Sequence, residues 1–413
     1  MIKGFQRWSL CSFVLFSTIG FCLYFGFFSF YLVKIKTSPF IISLLIGSTA
    51  LTSLFWGPVA GRIIDRAHHR FYWLLIAQAC CGICVLLFGI QATFRPILTP
   101  ILVITFSLAL NFATIIVNQY LIPHLHENYE KSVSTASYIS GLAVFFSGIA
   151  LAILYDRFTP IIFFSIAFVC FLLSVMNIVP LLRVSTNISG GEKINETSKN
   201  KHGIYYQSYQ VLRKNWFLAF SMCIIAFTET SFNTNFDVIA FTTGTTPFAA
   251  VFLMGAICGI LDSLASWLYP KAIGNTTVTF RWFFFLSTFL IIFMVATLLT
   301  LYGYNNNPWF LPSLALLLEL TGVWWAIFIA GRVRDASHDG NYGQTMAAFR
   351  VPRSVVTFIG VTSIGTALQS GKIEWILFLN TMLLTIILVF NIYRQFNKRY
   401  SNMRKGNPAV PHE

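Results

Sequence analysis

The sequence predicts an all-α integral membrane protein whose twelve membrane-spanning helices form two pseudo-symmetric six-helix bundles. Of its 413 residues, 56% are hydrophobic and 10% are charged, and the mean hydropathy is +0.71. Soluble domains average about 25% charged residues, so this chain has too few charges to cover a soluble core of its size. Twelve apolar segments are long enough to cross a bilayer, and one long polar segment separates the first six from the last six.

The apolar segments and the polar segment define the predicted domains. A helix needs about 20 apolar residues to cross the hydrocarbon core, and that length gives spans at 8–33, 38–60, 71–91, 97–123, 132–154, 159–183, 215–240, 247–270, 282–302, 309–330, 343–369 and 374–396. We expect an N-terminal bundle over residues 1–183, a cytoplasmic linker over 184–214, a C-terminal bundle over 215–398 and a cytoplasmic tail over 399–413. The first apolar segment lacks a small-residue cleavage site, so we interpret it as a span and not as a signal peptide.

Lysine and arginine predict the orientation of the chain. With the N-terminus inside, 23 of the 28 Lys and Arg residues fall in predicted cytoplasmic segments and five fall outside. Cytoplasmic loops of membrane proteins carry this excess, so we expect both termini in the cytoplasm and the chain in a cell (inner or plasma) membrane. This topology also accounts for the net charge of +14 without a nucleic-acid partner.

The two halves contain related segments. NYEKSVSTASYISGLAVFFSGIALAIL begins at Asn128, and NYGQTMAAFRVPRSVVTFIGVTSIGTAL begins at Asn341. Each opens the fifth span of its half, which is the position expected for a duplicated six-helix unit. Parallel six-span repeats are a transporter architecture.

The loop between spans two and three contains a chemically informative motif. Its sequence is GPVAGRIIDRAHHR over residues 57–70, with Gly61, Asp65, Arg66 and Arg70 at defined spacing. A glycine lets two helix ends approach closely, an aspartate can accept hydrogen bonds at the positive end of a helix dipole, and arginines can pair with carboxylates. The motif, its position and the twelve spans resemble the major facilitator superfamily.

The resemblance implies a membrane transporter that works by alternating access, with no cofactor. In that family this loop forms a cytoplasmic gate that closes in the outward-facing state. We expect the motif to contact the start of span eleven, where Arg350 and Arg353 enter the membrane. The alternative is that these arginines only anchor the topology. One departure is His68, which stands where the family usually has glycine.

A second resemblance concerns residues 118–137. NQYLIPHLHENYEKSVSTAS is similar to the junction of spans four and five in the drug and siderophore exporters of that superfamily, which implies proton-coupled export of a small amphipathic organic molecule. Two departures keep proton-symport import open as the alternative. Span four contains Asn111 and Asn118 but lacks the arginine of many proton antiporters, and span five has Gly141 and Gly148 without their Gly-x-x-x-Gly-Pro element.

Three carboxylates lie deep inside predicted spans of the C-terminal bundle, at Glu229, Asp262 and Glu319. Ionisable residues inside a membrane are costly and mark functional sites by default. We therefore expect these three residues to couple transport to protons, with Glu229 as the first candidate. The alternatives are structural: a hydrogen bond from Asp262 to a neighbouring helix, and a salt bridge from Glu319 to Arg350 or Arg353.

Polar side chains predict the wall of a central cavity. In span seven they recur at i, i+4 and i+8, within an arc of roughly 80°. Spans one and four add tyrosines and asparagines spaced seven residues apart on one helix face. An aromatic, weakly polar cavity suits an amphipathic organic substrate. We expect it to be lined by Tyr24, Tyr31, Asn111, Asn118, Glu229, Asn233 and Asp237.

Other classes of function fit the sequence less well. All seven histidines fall in predicted loops or the tail, which disfavours an intramembrane haem or metalloprotease site. The sequence has no Gly-rich phosphate-binding loop with lysine, which disfavours ATP hydrolysis, and the duplicated halves disfavour a channel. In the loop that contains His124, His126, Glu127 and Glu130, solvation is favoured over a metal site. We expect a monomer whose partners are a small-molecule substrate, protons and the bilayer.

Overall fold

The chain is all-α in the residues that the structure describes. The computed structural model describes residues 4–67, 70–91, 95, 97–126, 128–188, 204–231, 248–303, 307, 310–337, 342–370 and 372–404. These residues form thirteen α-helices and no strand, which confirms the predicted fold class: α1 Gly4–Lys34, α2 Pro39–Arg66, α3 Arg70–Ile90, α4 Leu98–Ile116, α5 Tyr129–Leu154, α6 Pro160–Ile188, α7 Ile204–Lys214, α8 Trp216–Thr230, α9 Phe248–Ala272, α10 Val278–Leu301, α11 Phe310–Asp335, α12 Tyr342–Ser370 and α13 Ile373–Arg404.

Several helices begin where the sequence supplies a capping side chain. The hydroxyl of Ser38 accepts a hydrogen bond from the amide of Ile41 (3.4 Å) at the start of α2. The side chain of Asn128 accepts one from the amide of Lys131 (3.3 Å) at the start of α5, and Thr277 caps α10 in the same way. Each side-chain oxygen satisfies one of the amide groups that the first turn of a helix leaves unpaired.

The end of α4 departs from regular helix. Predicted span four runs to residue 123, whereas the α-helix ends at Ile116 and continues as a π-helical turn, Val117–Leu121, and a 3-10 turn, Ile122–His124. Pro123 accounts for the change, because proline has no amide hydrogen and its ring clashes with the carbonyl group four residues earlier.

Most of the helices are long and apolar enough to span a membrane. Ten meet that condition in the described part of the chain, and α7 and α8 form one further pair bent by 94°. The helix α12 has 29 residues, about 43 Å, but Arg350 and Arg353 make it more polar than its neighbours. Predicted span seven extends to residue 240, whereas α8 ends at Thr230, and residues 232–247 lie outside the described residues. The count of twelve spans therefore stays a prediction.

The predicted domain boundaries also stay predictions, although the helices extend beyond some of them. The helix α6 runs to Ile188, into the predicted linker, and α7 occupies the end of that linker. Residues 189–203 lie outside the described part of the chain. The last helix, α13, continues to Arg404, inside the predicted tail.

Each half has its own hydrophobic core. Large side chains that are fully buried in the N-terminal half include Tyr24, Phe27, Phe106, Phe163, Phe164 and Phe171. Those of the C-terminal half include Phe285, Phe289, Phe293 and Phe328. The first core also includes Val251, Phe252 and Val361 of the C-terminal half, so each core lies mainly in one half and the first extends across the contact between the bundles.

The two bundles meet along two helix pairs, which we name the α2–α12 seam and the α5–α9 seam. Glycines allow the backbones to touch. A Cβ atom on Gly61 would lie 2.6 Å from the carbonyl oxygen of Gly343, and one on Gly259 would lie 2.4 Å from the amide nitrogen of Phe145. Small residues at helix contacts are typical of membrane bundles. The seams therefore hold the halves in direct backbone contact.

Candidate functional site

One end of the molecule carries the groups that join the two halves. This end contains the α2–α3 and α9–α10 connections, the turn before α5 and the start of α12. We name it the basic end, after Arg70, Arg281 and Arg334. Because helices at both seams begin or end here, a contact at this end can hold the two bundles together.

Asp65 at the end of α2 closes the α2–α12 seam. Its carboxylate accepts hydrogen bonds from the backbone amides of Gly343 (3.0 Å) and Gln344 (2.8 Å) in the first turn of α12. The hydroxyl of Tyr120 donates a third hydrogen bond to Asp65, which is only 7% exposed. We name this contact the Asp65 latch. A carboxylate here satisfies the unpaired amides and complements the helix dipole of α12, so α2 supplies the cap of a helix in the other half.

Arg70 stabilises the end of α2 and the tyrosine that form part of the Asp65 latch. Its guanidinium group donates hydrogen bonds to the backbone carbonyl groups of Ile64 (3.0 Å) and Asp65 (3.2 Å) at the end of α2. It also lies over the ring of Tyr120, 4.2 Å from the ring centroid. Arg70 therefore caps α2 and orders the tyrosine that binds Asp65. The side chain of Arg66 is exposed.

Glu130 at the start of α5 closes the α5–α9 seam with an ion pair. Nη1 of Arg281, from α10, donates to both carboxylate oxygens of Glu130, at 2.8 and 3.0 Å. The hydroxyl of Tyr269, from α9, donates to the same carboxylate (3.4 Å). Arg281 is 7% exposed, and its Nε donates to the carbonyl oxygen of Thr276 (3.0 Å). We name this contact the Glu130 latch; it is a buried, charge-assisted bridge between the halves.

Neither partner of the Glu130 latch was predicted from the sequence. Glu130 was expected in a solvated loop, and Arg281 was only one of the 23 Lys and Arg residues that predict the orientation. The internal repeat contained a usable signal, because Glu130 aligns with Gly343 when Asn128 is matched to Asn341. The repeat thus places Glu130 at the N-terminus equivalent to the one that Asp65 caps.

The possible metal-binding loop before α5 is occupied by other contacts. Glu130 is engaged by Arg281. The Nε2 atom of His126 lies 3.1 Å from Arg7 and 2.9 Å from the hydroxyl of Thr135. Burial, and then the nearby charges of Arg7 and Lys131, lower the pKa of His126. The side chain of His124 and all of Glu127 lie outside the described residues.

The three intramembrane carboxyl groups form a row, named the acid row, across α9, α11 and α8. The carboxyl groups of Asp262 and Glu319 lie within hydrogen-bonding reach of each other. Two carboxylates have no donor, so a hydrogen bond between them would require one proton. Oδ1 of Asp262 is buried and has no hydrogen-bond partner among the described residues. The pair can therefore bind a proton at a site with spare accepting capacity.

Glu229 continues the acid row. Its Oε1 lies beside α11 at Gly322, where an added Cβ would be 3.2 Å away, one turn along the helix from Glu319. Glu319 and Arg353 both act electrostatically on Glu229. The helix α11 thus places Glu319 between the other two acids. Asn233 and Asp237, the remaining predicted polar positions of span seven, lie outside the described residues.

Arg350 and Arg353 lie away from the Asp65 latch. The guanidinium group of Arg350 is 3.5 Å from Oδ1 of Asn111 in α4, and Arg353 lies within electrostatic reach of Glu229. Arg350 is seven residues beyond Gly343, which is about 10 Å along a helix. The expected contact between the loop and the start of span eleven exists, but the backbone amides of α12 make it, and the arginines do not.

The predicted cavity residues have different surroundings. Tyr24 is 1% exposed and packs in the aromatic core of the N-terminal bundle, with Phe106 at 4.6 Å between ring centroids. Tyr31 lines a small cleft of that bundle, and its hydroxyl donates to the carbonyl oxygen of Gln91 (3.5 Å). Tyr24 therefore faces its own bundle, since an α-helix packed on several sides buries more than one face.

The two asparagines of span four also have different surroundings. Asn111 is 7% exposed, and its Oδ1 accepts a hydrogen bond from the hydroxyl of Ser53 (2.7 Å). Asn118 is partly buried in the π-helical turn, and its carbonyl oxygen accepts a hydrogen bond from Tyr129 (3.2 Å). Of the two asparagines, Asn111 is the one in contact with an arginine of the other bundle.

The fold of the chain is similar to that of several solved transporters. A bacterial homologue of the iron transporter ferroportin, in an outward-facing state with soaked iron, is 14% identical over 94% of this chain and 98% of that chain, with a TM-score of 0.70. The nucleoside transporter NupG is 11% identical over 94% and 99%, with a TM-score of 0.67. A ferroportin homologue in an inward-facing state is 13% identical over 95% and 99%, with a TM-score of 0.65. No protein-family model and no curated protein matches the chain.

These similarities show the fold of the protein. They cover nearly the whole chain, so the protein has the fold that these solved transporters share. It is a multi-pass membrane protein with a transporter fold, and the similar structures are transporters and not enzymes. At these identities the likeness concerns the fold, and the substrate must be argued from the residues of this chain.

Proposed function

We propose that this protein is a secondary active transporter that works by alternating access and couples movement of a small amphipathic organic molecule to protons. The observation that carries the proposal is the close approach of the carboxyl groups of Asp262 and Glu319. Two neighbouring carboxyl groups inside a membrane can gain or lose a proton when their surroundings change between two states. Glu229 and Arg353 are the neighbouring charges that would respond.

The two latches support alternating access. Both join the bundles at the basic end, and both depend on groups that separate if the bundles rock apart. We assign the basic end to the cytoplasm, because the positive-inside rule places most Lys and Arg residues there. With both latches formed, the cytoplasmic side is closed, as an outward-facing or occluded state requires.

Export is the proposed direction, from the resemblance of residues 118–137 to drug and siderophore exporters. A specific observation favours proton-symport import as the second candidate. An ionised Glu229 partly neutralises Arg353, so protonation of Glu229 would strengthen the attraction of Arg353 for an anion. A proton and an anionic solute would then bind together and move in the same direction.

The similar structures include an iron transporter and a nucleoside transporter. In the part of this chain that the structure describes, no group of three or more His, Cys, Asp and Glu residues is arranged to hold a metal ion. Where α4 meets α12, the neighbouring groups are the guanidinium of Arg350, the amide of Asn111 and the hydroxyl of Ser53, which suit an organic solute better than a bare metal ion. This observation supports an organic substrate.

The test is proton flux in liposomes. The purified full-length protein is reconstituted with a pH-sensitive dye inside, and a panel of amphipathic organic compounds is added outside. We expect at least one compound to change the internal pH with wild-type protein. The double variant Asp262→Asn, Glu319→Gln should lower that flux to the level of empty liposomes, whereas Asp156→Asn, at an exposed acid outside the spans, should not.

Equal proton flux in the double variant and the wild type would contradict coupling through the acid row. Glu319→Asp, which keeps a carboxyl group, controls for a folding defect. The direction is decided separately in cells that lack the gene: loss of an exporter leaves the compound inside, and loss of an importer leaves it outside.

A further inference from the structure

The helix α12 carries two arginines, Arg350 and Arg353, one turn apart on one face. Among the described residues, no carboxylate lies within ion-pair distance of either arginine; the ion pairs found there are Arg281–Glu130 and Arg332–Asp335. A cation inside a membrane is costly unless an anion or strong acceptors compensate it. An anionic ligand would therefore compensate the two positive charges.

The contact between Arg350 and Asn111 does not provide this compensation. Its 3.5 Å distance exceeds the usual length of an N–H···O hydrogen bond, and the same oxygen already accepts the hydroxyl of Ser53 at 2.7 Å. A guanidinium group has five N–H donors. Arg350 is partly exposed, and its contact with Asn111 involves one of these donors.

Arg353 adds a second, more accessible cation. Its side chain is exposed, and Glu229 acts on it from beyond ion-pair distance. Tyr129 of α5 and Cys223 of α8 are the other titratable side chains in electrostatic contact with the pair. Neither carries a negative charge at neutral pH under ordinary conditions. The surroundings of Arg350 and Arg353 are thus positive and include polar groups of both bundles.

We infer that Arg350 and Arg353 form a binding subsite for the oxyanion group, carboxylate or phosphate, of an anionic amphipathic substrate. The inference rests on the proposed function and deepens it by naming the charge of the substrate. The planar fork of a guanidinium matches the two oxygens of a carboxylate or phosphate. The subsite lies where α12 of one bundle meets α4 of the other, so a bound anion contacts both halves and senses their movement.

Ligand binding to purified protein tests the inference without any transport step. Full-length protein in an uncharged detergent is titrated with benzoate, phenyl phosphate, benzamide or benzylamine at constant pH and ionic strength. Saturable stabilisation in thermal unfolding gives an apparent Kd for each probe. Benzoate and phenyl phosphate distinguish the two oxyanions, benzamide is the uncharged match of benzoate, and benzylamine is the cation.

We expect an anionic probe to stabilise the wild type saturably, and benzamide and benzylamine not to do so. Arg350→Gln and Arg353→Gln should each weaken binding about 10- to 100-fold, the usual value of a hydrogen bond to a charged group. Arg95 is an exposed arginine outside the spans and gives a matched control. Arg95→Gln should bind the anionic probe as the wild type does. Arg350→Lys keeps the charge and should retain part of the affinity. It takes the place of Arg350→Gln in the test if that variant fails to fold.

Two results would overturn the inference: anions that stabilise no better than benzamide, or unchanged anion binding in both arginine-to-glutamine variants. Neither result affects proton flux through the acid row, which is measured separately. If the Asp262→Asn, Glu319→Gln variant loses proton flux while no anion binds, the subsite is refuted and the proposed function stands.

Discussion

The Asp65 latch and the Glu130 latch close equivalent seams with different chemistry. In the first, a carboxylate from α2 accepts hydrogen bonds from backbone amides of α12. In the second, a carboxylate at the start of α5 binds the side chain of Arg281. The duplicated architecture preserves the positions of the helix ends but not the charges on them. One latch depends on a helix terminus, and the other depends on a buried ion pair.

This difference predicts that substitutions in the two latches destabilise the protein by different amounts. Removal of one partner from a buried ion pair costs about 3–5 kcal/mol, because the other charge is left uncompensated. Loss of a capping side chain costs about 0.5–2 kcal/mol. Substitution of one latch residue should therefore be more costly at the α5–α9 seam than at the α2–α12 seam.

The largest expected effect comes from the Glu130 latch. Glu130→Gln leaves Arg281 buried without its counter-charge and should lower the free energy of unfolding by about 3–5 kcal/mol. Denaturant unfolding in detergent measures the loss, and a double-mutant cycle with Arg281→Gln isolates the interaction. The Arg332–Asp335 pair, whose aspartate is exposed and whose arginine is partly exposed, is the control and should yield about 0–1 kcal/mol. Equal coupling energies for the two pairs would contradict a buried latch.

The glycines at the seams give the next effect. Gly259→Ala and Gly61→Ala would push a methyl group against backbone atoms 2.4 and 2.6 Å away and should cost about 1–3 kcal/mol of stability. Gly255 and Gly57 have nothing within 4 Å of an added Cβ, so Gly255→Ala and Gly57→Ala are same-helix controls. Thermal unfolding is measured for each seam variant and for the control on the same helix. Controls as unstable as the seam variants would argue against close backbone contact.

Asp65→Asn should have a smaller effect. The amide side chain keeps one accepting oxygen but turns an NH₂ group toward the second backbone amide, so one hydrogen bond is lost at a cost of about 1 kcal/mol. We expect normal expression and reduced transport, measured in liposomes with the compound found in the proton-flux screen. Asp156→Asn serves as the control for loss of an aspartate. Unchanged transport in Asp65→Asn would rule out a functional latch at this position.

The smallest effect concerns the interior of the C-terminal bundle. Glu229→Gln removes the negative charge that acts on Arg353, so it should tighten benzoate binding about two- to fivefold, the range of a solvent-screened ion interaction. Thermal-shift titration measures the change, and Asp156→Asn should leave it unaffected. Weaker benzoate binding would show that Glu229 does not compete with the anion for Arg353.

The interiors of the two bundles also differ in the chemistry of their side chains. Tyr24 of the N-terminal bundle lies among phenylalanines, whereas the C-terminal bundle contains the acid row and the two arginines. The sequence already indicated this asymmetry, since every predicted intramembrane acid falls in the second half. It could not show that Asp262 lies beside Glu319, because a side-chain contact between two helices depends on how each is rotated about its axis.

The amino-acid sequence by itself determined the fold class, the duplicated halves and the contact of the Asp65 loop with the start of span eleven. Hydrophobic length, charge distribution and residue spacing are properties of the chain, and the membrane turns them into helices with few alternatives. The tertiary structure alone decided which groups make the contacts: backbone amides and not Arg350 at Asp65, Arg281 at Glu130, and Asn111 at Arg350. These partners lie more than a hundred residues apart along the chain, so only packing of the two bundles brings them together.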